Sequence, residues 1–168
     1  FCKYIHEEDS SFQYKTMIPC NLYGGYDKFD SYRAHLIPAI ISKMHRIKES
    51  GGDCEIWGDG SARREFMYAG DLADAIFYAL DNFNAMPNTI NIGVGTDHSI
   101  SEYYSFVAEV IGFKGNFKYN LKKPVGMKQK LVSIEKQTSW GWSPKVALKD
   151  GIKKTYDSFL KSVYNRHD

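Results

Sequence analysis

The sequence predicts an α/β fold in which short strands alternate with amphipathic helices. Helical spacing of apolar residues recurs along the chain and is clearest at 36–50 and from about 148 onward. Short apolar runs at 13–19 and 89–92, which end at proline or glycine, separate the helices and are typical of strands. Hydrophobic residues make up 43% and charged residues 25% of the 168 residues, which fits one globular domain and not a disordered chain.

The amino-terminal part is predicted to contain a piece of helix and one strand. Residues 1–8 continue an amphipathic helix with no Met or signal peptide before it, so we expect the chain to begin inside a longer protein. Alternation over 13–19 predicts a strand ending at Pro19. Residues 21–25 are then expected to form a loop at its carboxyl end, where open α/β sheets bind ligands.

The middle of the chain begins with a helix at 36–50, and Pro38 fits its first turn because the missing N–H does no harm there. Strands at 53–57 and 64–68 flank a Gly-Asp-Gly turn, whose glycines allow positive φ without a side-chain clash. A helix at 71–80 follows, and we expect it to pack through Leu72, Ile76, Tyr78 and Leu80.

The remaining residues alternate in the same way. A strand at 89–92 leads into the turn at 93–96, which lacks the third glycine of a dinucleotide fingerprint. Ser101 with Glu102 is predicted to open a helix that Gly112 closes. The other predicted elements are a short strand at 116–119, a basic loop at 122–130 and a final amphipathic helix from about 148.

Composition excludes several classes of function. The net charge of +2 is too small to indicate nucleic-acid binding. The sequence contains no run of 18 apolar residues, so it predicts no membrane span. Cys2, Cys20 and Cys54 are not accompanied by a histidine cluster, so they predict reduced thiols in the cytoplasm and neither a disulfide framework nor a metal site. Asp71 is expected to stabilise the start of its helix, and His98 to lie on the surface.

Three stretches together resemble a known family. These are the segment from Trp57 to Ala75 (WGDGSARREFMYAGDLADA), the PCNLYG stretch at 19–24 and the HLIP stretch at 35–38. They are similar to extended short-chain dehydrogenase/reductases that act on nucleotide sugars, and most of all to the GDP-L-fucose synthase family. The resemblance covers nearly the whole chain but only the carboxyl-terminal half of such an enzyme.

This resemblance implies the last strands of a Rossmann sheet, with a remnant at 1–25, and a small α/β substrate-binding lobe at about 26–168. The dinucleotide-binding half would be absent. The family acts on GDP-sugars with NADP(H) and no metal, and typically forms homodimers. The apolar surface left by a missing half would favour self-association of this chain.

The resemblance also implies a set of site residues. The implied cofactor contacts are Pro19, Cys20, Asn21, Leu22 and His35, and the implied substrate contacts are Lys43, Trp57 and Arg64. His35 would also be catalytic, as a general acid, because histidine gains and loses a proton near neutrality. Without the resemblance, a solvent-facing histidine is the simpler interpretation.

The planar fork of Arg64 suits a diphosphate, whereas Arg63 should point to the opposite face of the strand, so only one of the two can serve a cleft. The alternative interpretations are a solvated helix face for Lys43 and an ordinary core aromatic for Trp57.

The sequence also departs from the family pattern. It contains no Gly-x-x-Gly-x-x-Gly, and its Tyr-x-x-x-Lys match, Tyr119 with Lys123, lies in the basic loop and is attributed to chance. We therefore expect no reductase activity from this chain alone. Val125, Gln129 and Ser133 stand where the family pattern has Asp, Arg and Asp, so the sugar pocket is expected to differ.

Three alternatives remain open. The first is a GDP-6-deoxy-heptose 4-reductase that does not epimerise its substrate. The second is a non-catalytic GDP-sugar-binding module. A nucleotide-sugar 4-epimerase or dehydratase ranks lower, because those enzymes lack the HLIP stretch at 35–38.

Overall fold

The computed structural model describes residues 2–9, 11–30 and 33–164. The helices are α1 (Cys2–Glu8), α2 (Leu36–Ser50), α3 (Ala69–Asp81), α4 (Ile100–Ile111), α5 (Glu135–Trp140) and α6 (Leu148–Tyr164), with a 3₁₀ turn at Phe83–Ala85. The strands are β1 (Thr16–Pro19), β2 (Asn21–Tyr23), β3 (Cys54–Trp57), β4 (Arg63–Arg64), β5 (Phe66–Tyr68), β6 (Thr89–Ile92), β7 (His98–Ser99), β8 (Phe117–Asn120) and β9 (Gln129–Lys130). The α/β class predicted from the sequence is confirmed.

The strands form small sheets with mostly parallel pairing. β1 pairs with β6, β2 with β5 and β3 with β8, all in parallel. β4 pairs antiparallel with β7 and parallel with β9. Most partners are distant in sequence, so the helices between them serve as crossover connections.

Two hydrophobic clusters lie on either side of the β2–β5 pair. One is formed by helices α2, α4 and α6 with strands β2, β3 and β5, and the other by β1 and β6 with helices α3 and α5. Phe66 belongs to the first cluster and Met67 to the second, because successive strand residues point to opposite faces. β1 lies before position 25 and packs in the second cluster with β6, α3 and α5, which all follow it. The predicted boundary between a Rossmann remnant at 1–25 and a substrate-binding lobe after it stays a prediction.

The long helices match their predicted positions. α2 spans the predicted residues, with Pro38 in its first turn. α4 ends at Gly112, which has the left-handed conformation expected of a helix-terminating glycine (φ 70°). Its start differs from the prediction, because Ser99 and not Ser101 caps it, in a reciprocal capping box with Glu102.

Two other predictions were wrong. Residues 21–23 form a strand and not a loop, because Asn21–Tyr23 pairs in register with Phe66–Tyr68. In α3, Ile76 and Leu80 are exposed, whereas Ala75 and Ala79 are buried in the second cluster. The small alanines pack in the second cluster beside Leu72 and Tyr78, whereas Ile76, Phe77 and Leu80 face outward.

Among the described residues, no helix is both long and apolar enough to cross a membrane, and no group of His, Cys, Asp and Glu side chains could hold a metal ion.

Candidate functional site

A cleft of about 860 Å³ opens beside the carboxyl ends of β2 and β5 and the first turn of α3. Cys20, Asn21, Leu22 and His35 line it, which brings together four of the five residues predicted to contact a cofactor. Pro19 ends β1 and does not line the cleft. The other lining residues come from the loop at 23–27, from Tyr68, Ala69 and Gly70, and from Ser158 of α6.

Asn21 is held in a fixed orientation at this cleft. Its Nδ2 donates a hydrogen bond to the carbonyl of Glu65 at 2.8 Å, and its Oδ1 accepts one from Nζ of Lys130 at 3.2 Å. A carboxamide has two N–H donors and two acceptor lone pairs, so one of each stays available to a ligand.

Cys20 is a packing residue at the edge of the cleft. Burial, and secondarily the negative charge of Glu65, raises the pKa of its thiol to about 12, so the thiol is protonated at neutral pH and is a poor nucleophile. Cys54 is also buried, and burial raises the pKa of its thiol. Both are free cysteines, as predicted, whereas the side chain of Cys2 lies outside the described part of the chain.

His35 stands at the mouth of the cleft, as the residue that caps the amino terminus of α2. Its carbonyl accepts the N–H of Ala39 at 2.9 Å, while its side chain makes no capping hydrogen bond. The imidazole is exposed and forms no ion pair with a carboxylate in the described ranges. The imidazole is therefore open to a molecule bound in the cleft.

The structure separates the two neighbouring arginines. Arg63 Nε bonds Oδ1 of Asp97 at 2.8 Å, its Nη2 donates to the Asp97 carbonyl at 2.8 Å, and its Nη1 lies 3.5 Å from Glu102. Arg64 donates only to the carbonyl of Arg63, at 2.7 Å, and has no carboxylate partner among the described residues. Arg64 is thus the arginine that can bind an added anion.

Trp57 ends β3, Arg64 ends β4 and Lys43 lies on α2, and none of the three lines the cleft at His35. Trp57 is 58% exposed, so the core-aromatic alternative is wrong. The ammonium of Lys43 donates to the carbonyl of Glu55 and joins α2 to β3. Lys43 is therefore half-buried and not a member of a fully solvated helix face.

Glu65 was not singled out from the sequence, although it lies between Arg64 and Phe66. Its carboxylate is 1% exposed, and it accepts the N–H groups of Val94 and Gly95 at 2.7 Å each and of Val132 at 3.0 Å. These amides belong to the glycine turn after β6 and to the segment after β9. The turn therefore holds an internal carboxylate, which agrees with the prediction that it is not a dinucleotide turn.

Asp71 has a structural role, as predicted, but with other partners. It lies within α3, which Tyr68 precedes without side-chain capping. The carboxylate of Asp71 is buried and accepts the N–H groups of Lys145 at 3.2 Å and Val146 at 3.1 Å, which fixes the segment before α6. The side chain of His98 is 27% exposed and its ring packs edge-on against Tyr103, so its predicted surface position holds only in part.

Tyr119 and Lys123 do not form a catalytic pair. The hydroxyl of Tyr119 lies 3.2 Å from Oγ of Ser101, whereas Nζ of Lys123 lies over the ring of Trp57. The two functional groups thus engage different neighbours. The spacing match is a coincidence of sequence, as predicted.

Asp97 predicts a pH dependence of stability. A hydrogen bond from Gln129, and then the bond and charge of Arg63, hold the pKa of this carboxyl below its usual range. Because the pKa is lowered in the folded state, the stabilisation is complete above about pH 5 and is lost as the pH falls through the ordinary carboxyl range toward the folded value. We expect the urea concentration at the midpoint of unfolding to be lower at pH 3.5 than at pH 6.

The Asp97→Asn variant should be less stable than the unchanged chain at pH 6, and its urea midpoint should decrease less between pH 6 and pH 3.5. Asp157→Asn, which changes an exposed carboxylate on α6, is the matched control. Equal pH dependence in the Asp97→Asn variant and the unchanged chain would contradict the assignment.

Comparison with known proteins places this geometry in context. Residues 1–93, more than half of the chain, match the model of the NAD dependent epimerase/dehydratase family. The chain is 55% identical over 165 residues to a GDP-L-colitose synthase of Yersinia pseudotuberculosis and 49% identical over 160 residues to a GDP-L-fucose synthase of Azorhizobium caulinodans. These alignments cover 98% and 95% of this chain, but 54% and 51% of the relatives. The chain thus spans about half the length of the curated relatives it matches.

A solved structure shares the fold. MlghC, a GDP-mannoheptose C4 reductase from Campylobacter jejuni with NADP bound, superimposes with a TM-score of 0.81 at 29% identity, over 95% of this chain and 56% of that protein. The resemblance to GDP-L-fucose synthases inferred from the sequence is confirmed by these relatives. With parallel strands ending at a cleft and a family match over residues 1–93, the chain belongs to the NAD dependent epimerase/dehydratase family.

Proposed function

We propose that this chain is the nucleotide-sugar-binding part of an NADP(H)-dependent GDP-sugar reductase and epimerase. The observation that carries the proposal is the cleft in which His35 faces the Asn21–Leu22 edge of β2. Relatives named GDP-L-colitose synthase and GDP-L-fucose synthase support a GDP-linked deoxy sugar as the substrate. In this proposal, residues 1–25 complete the dinucleotide-binding part and residues 26–168 hold mainly the sugar nucleotide.

The cleft residues fit a nicotinamide cofactor. Asn21 keeps one donor and one acceptor for a carboxamide, and Leu22, Tyr23 and Tyr68 supply apolar and aromatic surface. NADP(H) supplies the hydride when it is bound. Asn21 and Leu22 would orient the cofactor and exclude water, with Cys20 filling the space beside them as a neutral thiol.

The remaining roles follow from chemistry and exposure. His35 would give a proton to the sugar or take one from it, since its exposed imidazole forms no ion pair among the described residues. Arg64 would bind the diphosphate with its planar fork, and Trp57 would offer an aromatic surface to the base. Lys43 uses one N–H on Glu55 and keeps two for the phosphates or the ribose.

Two alternatives are supported by specific residues. A heptose 4-reductase without epimerase activity is supported by the fold shared with MlghC and by Gln129, which bonds Asp97 where the family pattern has an arginine. A non-catalytic GDP-sugar-binding module is supported by exposed Trp57 and by Arg64, which lacks a carboxylate partner among the described residues, since both lie apart from the cleft at His35. We further propose a cytoplasmic location, from the free thiols, and self-association, from exposed Ile76, Phe77 and Leu80.

Calorimetric titration of this chain tests the proposal. GDP and GDP-mannose should bind, whereas NADPH should bind at least ten times more weakly, because the chain offers the edge of a nicotinamide site but no glycine-rich turn for the diphosphate of the cofactor. NADPH oxidation with a GDP-4-keto-6-deoxy sugar should be undetectable for this chain alone. Binding of NADPH without binding of GDP would contradict the proposal, and turnover would contradict the non-catalytic expectation.

A further inference from the structure

Lys123 lies over the indole ring of Trp57. Its Nζ is 4.9 Å from the ring centroid, a distance at which the ring attracts an ammonium group. Both residues are on the surface, so neither is fixed there by the core. One face of an indole that could stack on a planar base is therefore covered by a cation of the same chain.

The same loop reaches Arg64. A Cβ atom on Gly58 would lie 2.9 Å from Cγ2 of Val125, and a Cβ atom on Gly126 would lie 3.7 Å from Nη2 of Arg64. The segment 123–126 therefore extends from the Trp57 ring, across the turn, to the guanidinium of Arg64. It covers both side chains to which the proposed function assigns the nucleotide.

The charge of Lys123 is not paired with a carboxylate among the described residues. No salt bridge joins it to a carboxylate within residues 2–9, 11–30 and 33–164, and position 125, two residues along, is an exposed valine. Its contact with the indole is weak, since a cation at an exposed ring face gains little free energy. An ammonium group forms stronger, charge-assisted hydrogen bonds with phosphate oxygens.

We propose that Lys123 is a specificity-determining residue that moves from the ring of Trp57 to the diphosphate when a nucleotide binds. In the free protein it covers the indole, and on binding the base takes its place while the ammonium group contacts the phosphate oxygens. A nucleoside without phosphates also has to displace Lys123 from the indole, but it offers the ammonium group no phosphate oxygens in return. The residue therefore selects nucleoside diphosphates over nucleosides. This inference rests on the proposed function.

The test compares GDP with guanosine by competition against a fluorescent GDP analogue. Lys123→Met keeps the length of the side chain and removes its charge. This variant should bind GDP about tenfold more weakly, because a charge-assisted contact is lost. It should bind guanosine about two- to fivefold more tightly, because the cation no longer covers the ring. The ratio of the two affinities should thus fall more than tenfold. Lys122→Met, which removes the neighbouring exposed charge, should leave the ratio nearly unchanged.

A second readout follows Trp57 directly. Trp140 and Trp142 are buried, so acrylamide should quench mainly Trp57, and a Trp57→Phe variant assigns that signal. Lys123→Met should increase quenching in the free protein and have little effect once GDP is bound.

Two outcomes would overturn the inference. Equal changes in GDP and guanosine affinity would do so while leaving the proposed function intact. Failure of the unchanged chain to bind GDP would overturn both.

Discussion

Replacement of Arg64 by alanine should weaken GDP binding by about 30-fold, or about 2 kcal/mol, which is the cost of losing a charge-assisted contact at a half-exposed site. The physical reason is that Arg64 is the member of the arginine pair whose guanidinium lacks a carboxylate partner among the described residues. Arg64→Lys should recover part of the affinity, since it keeps the charge and loses the planar fork. Calorimetry with GDP measures both variants.

Arg46→Ala is the matched control, because Arg46 is an exposed arginine on α2 whose Nε bonds the carbonyl of Ser42. It removes the same charge at a position to which the proposed function gives no role, and should change GDP affinity less than twofold. Arg63→Ala should instead lower stability, because Asp97 would lose its arginine partner. If Arg63→Ala lowers the affinity for GDP as much as Arg64→Ala does, and the chain stays folded, the assignment of Arg64 to the diphosphate is wrong.

Replacement of Glu65 by alanine should reduce the free energy of unfolding by about 3 to 5 kcal/mol, since three backbone N–H groups lose their acceptor. These are the N–H groups of Val94, Gly95 and Val132, which come from two separate segments. Glu65→Gln should cost less, because the amide oxygen can still accept two of them. Its NH2 group would, however, face the third donor. Urea unfolding monitored by circular dichroism measures these differences.

Glu109→Ala provides the comparison with a surface carboxylate. Glu109 pairs with Lys149 at 2.6 Å, and both side chains are at least half exposed, so its removal should cost less than 1 kcal/mol. A loss of similar size in Glu65→Ala and Glu109→Ala would show that the buried carboxylate does not fix the two segments. Hydrogen exchange at Val94, Gly95 and Val132 should be faster in Glu65→Ala, and this readout locates the effect.

Much of the fold could be predicted from sequence because helical periodicity is a local property. The apolar residues of α2 and α6 recur at steps of three and four, and both helices lie where that spacing places them. The same rule was less successful for α3, where Ala75 and Ala79 are buried while the larger Ile76 and Leu80 are exposed. Hydrophobicity alone does not tell which face of a helix is buried.

The candidate site was only partly predictable. The resemblance carried by the stretches at 19–24, 35–38 and 57–75 pointed to His35, Asn21 and Leu22, and the structure brings these three into one cleft. It did not indicate that Lys43, Trp57 and Arg64 lie outside that cleft, nor that Glu65 fixes the turn after β6 and the segment after β9. Those facts depend on strand pairing between residues far apart in the chain, such as Asn21 with Phe66.

By itself, therefore, the sequence determined the α/β class, the long helices and the family, because these depend on local spacing and short motifs. The resemblance implied Arg64, and the tertiary structure alone showed that Arg63 is paired while Arg64 has no carboxylate partner among the described residues. Strand β4 turns Arg63 toward Asp97 and Glu102 and leaves Arg64 on the other face. The physical reason is that a side chain's availability is set by the partners that folding brings to it, and Asp97 reaches Arg63 only once β4 and β7 have paired.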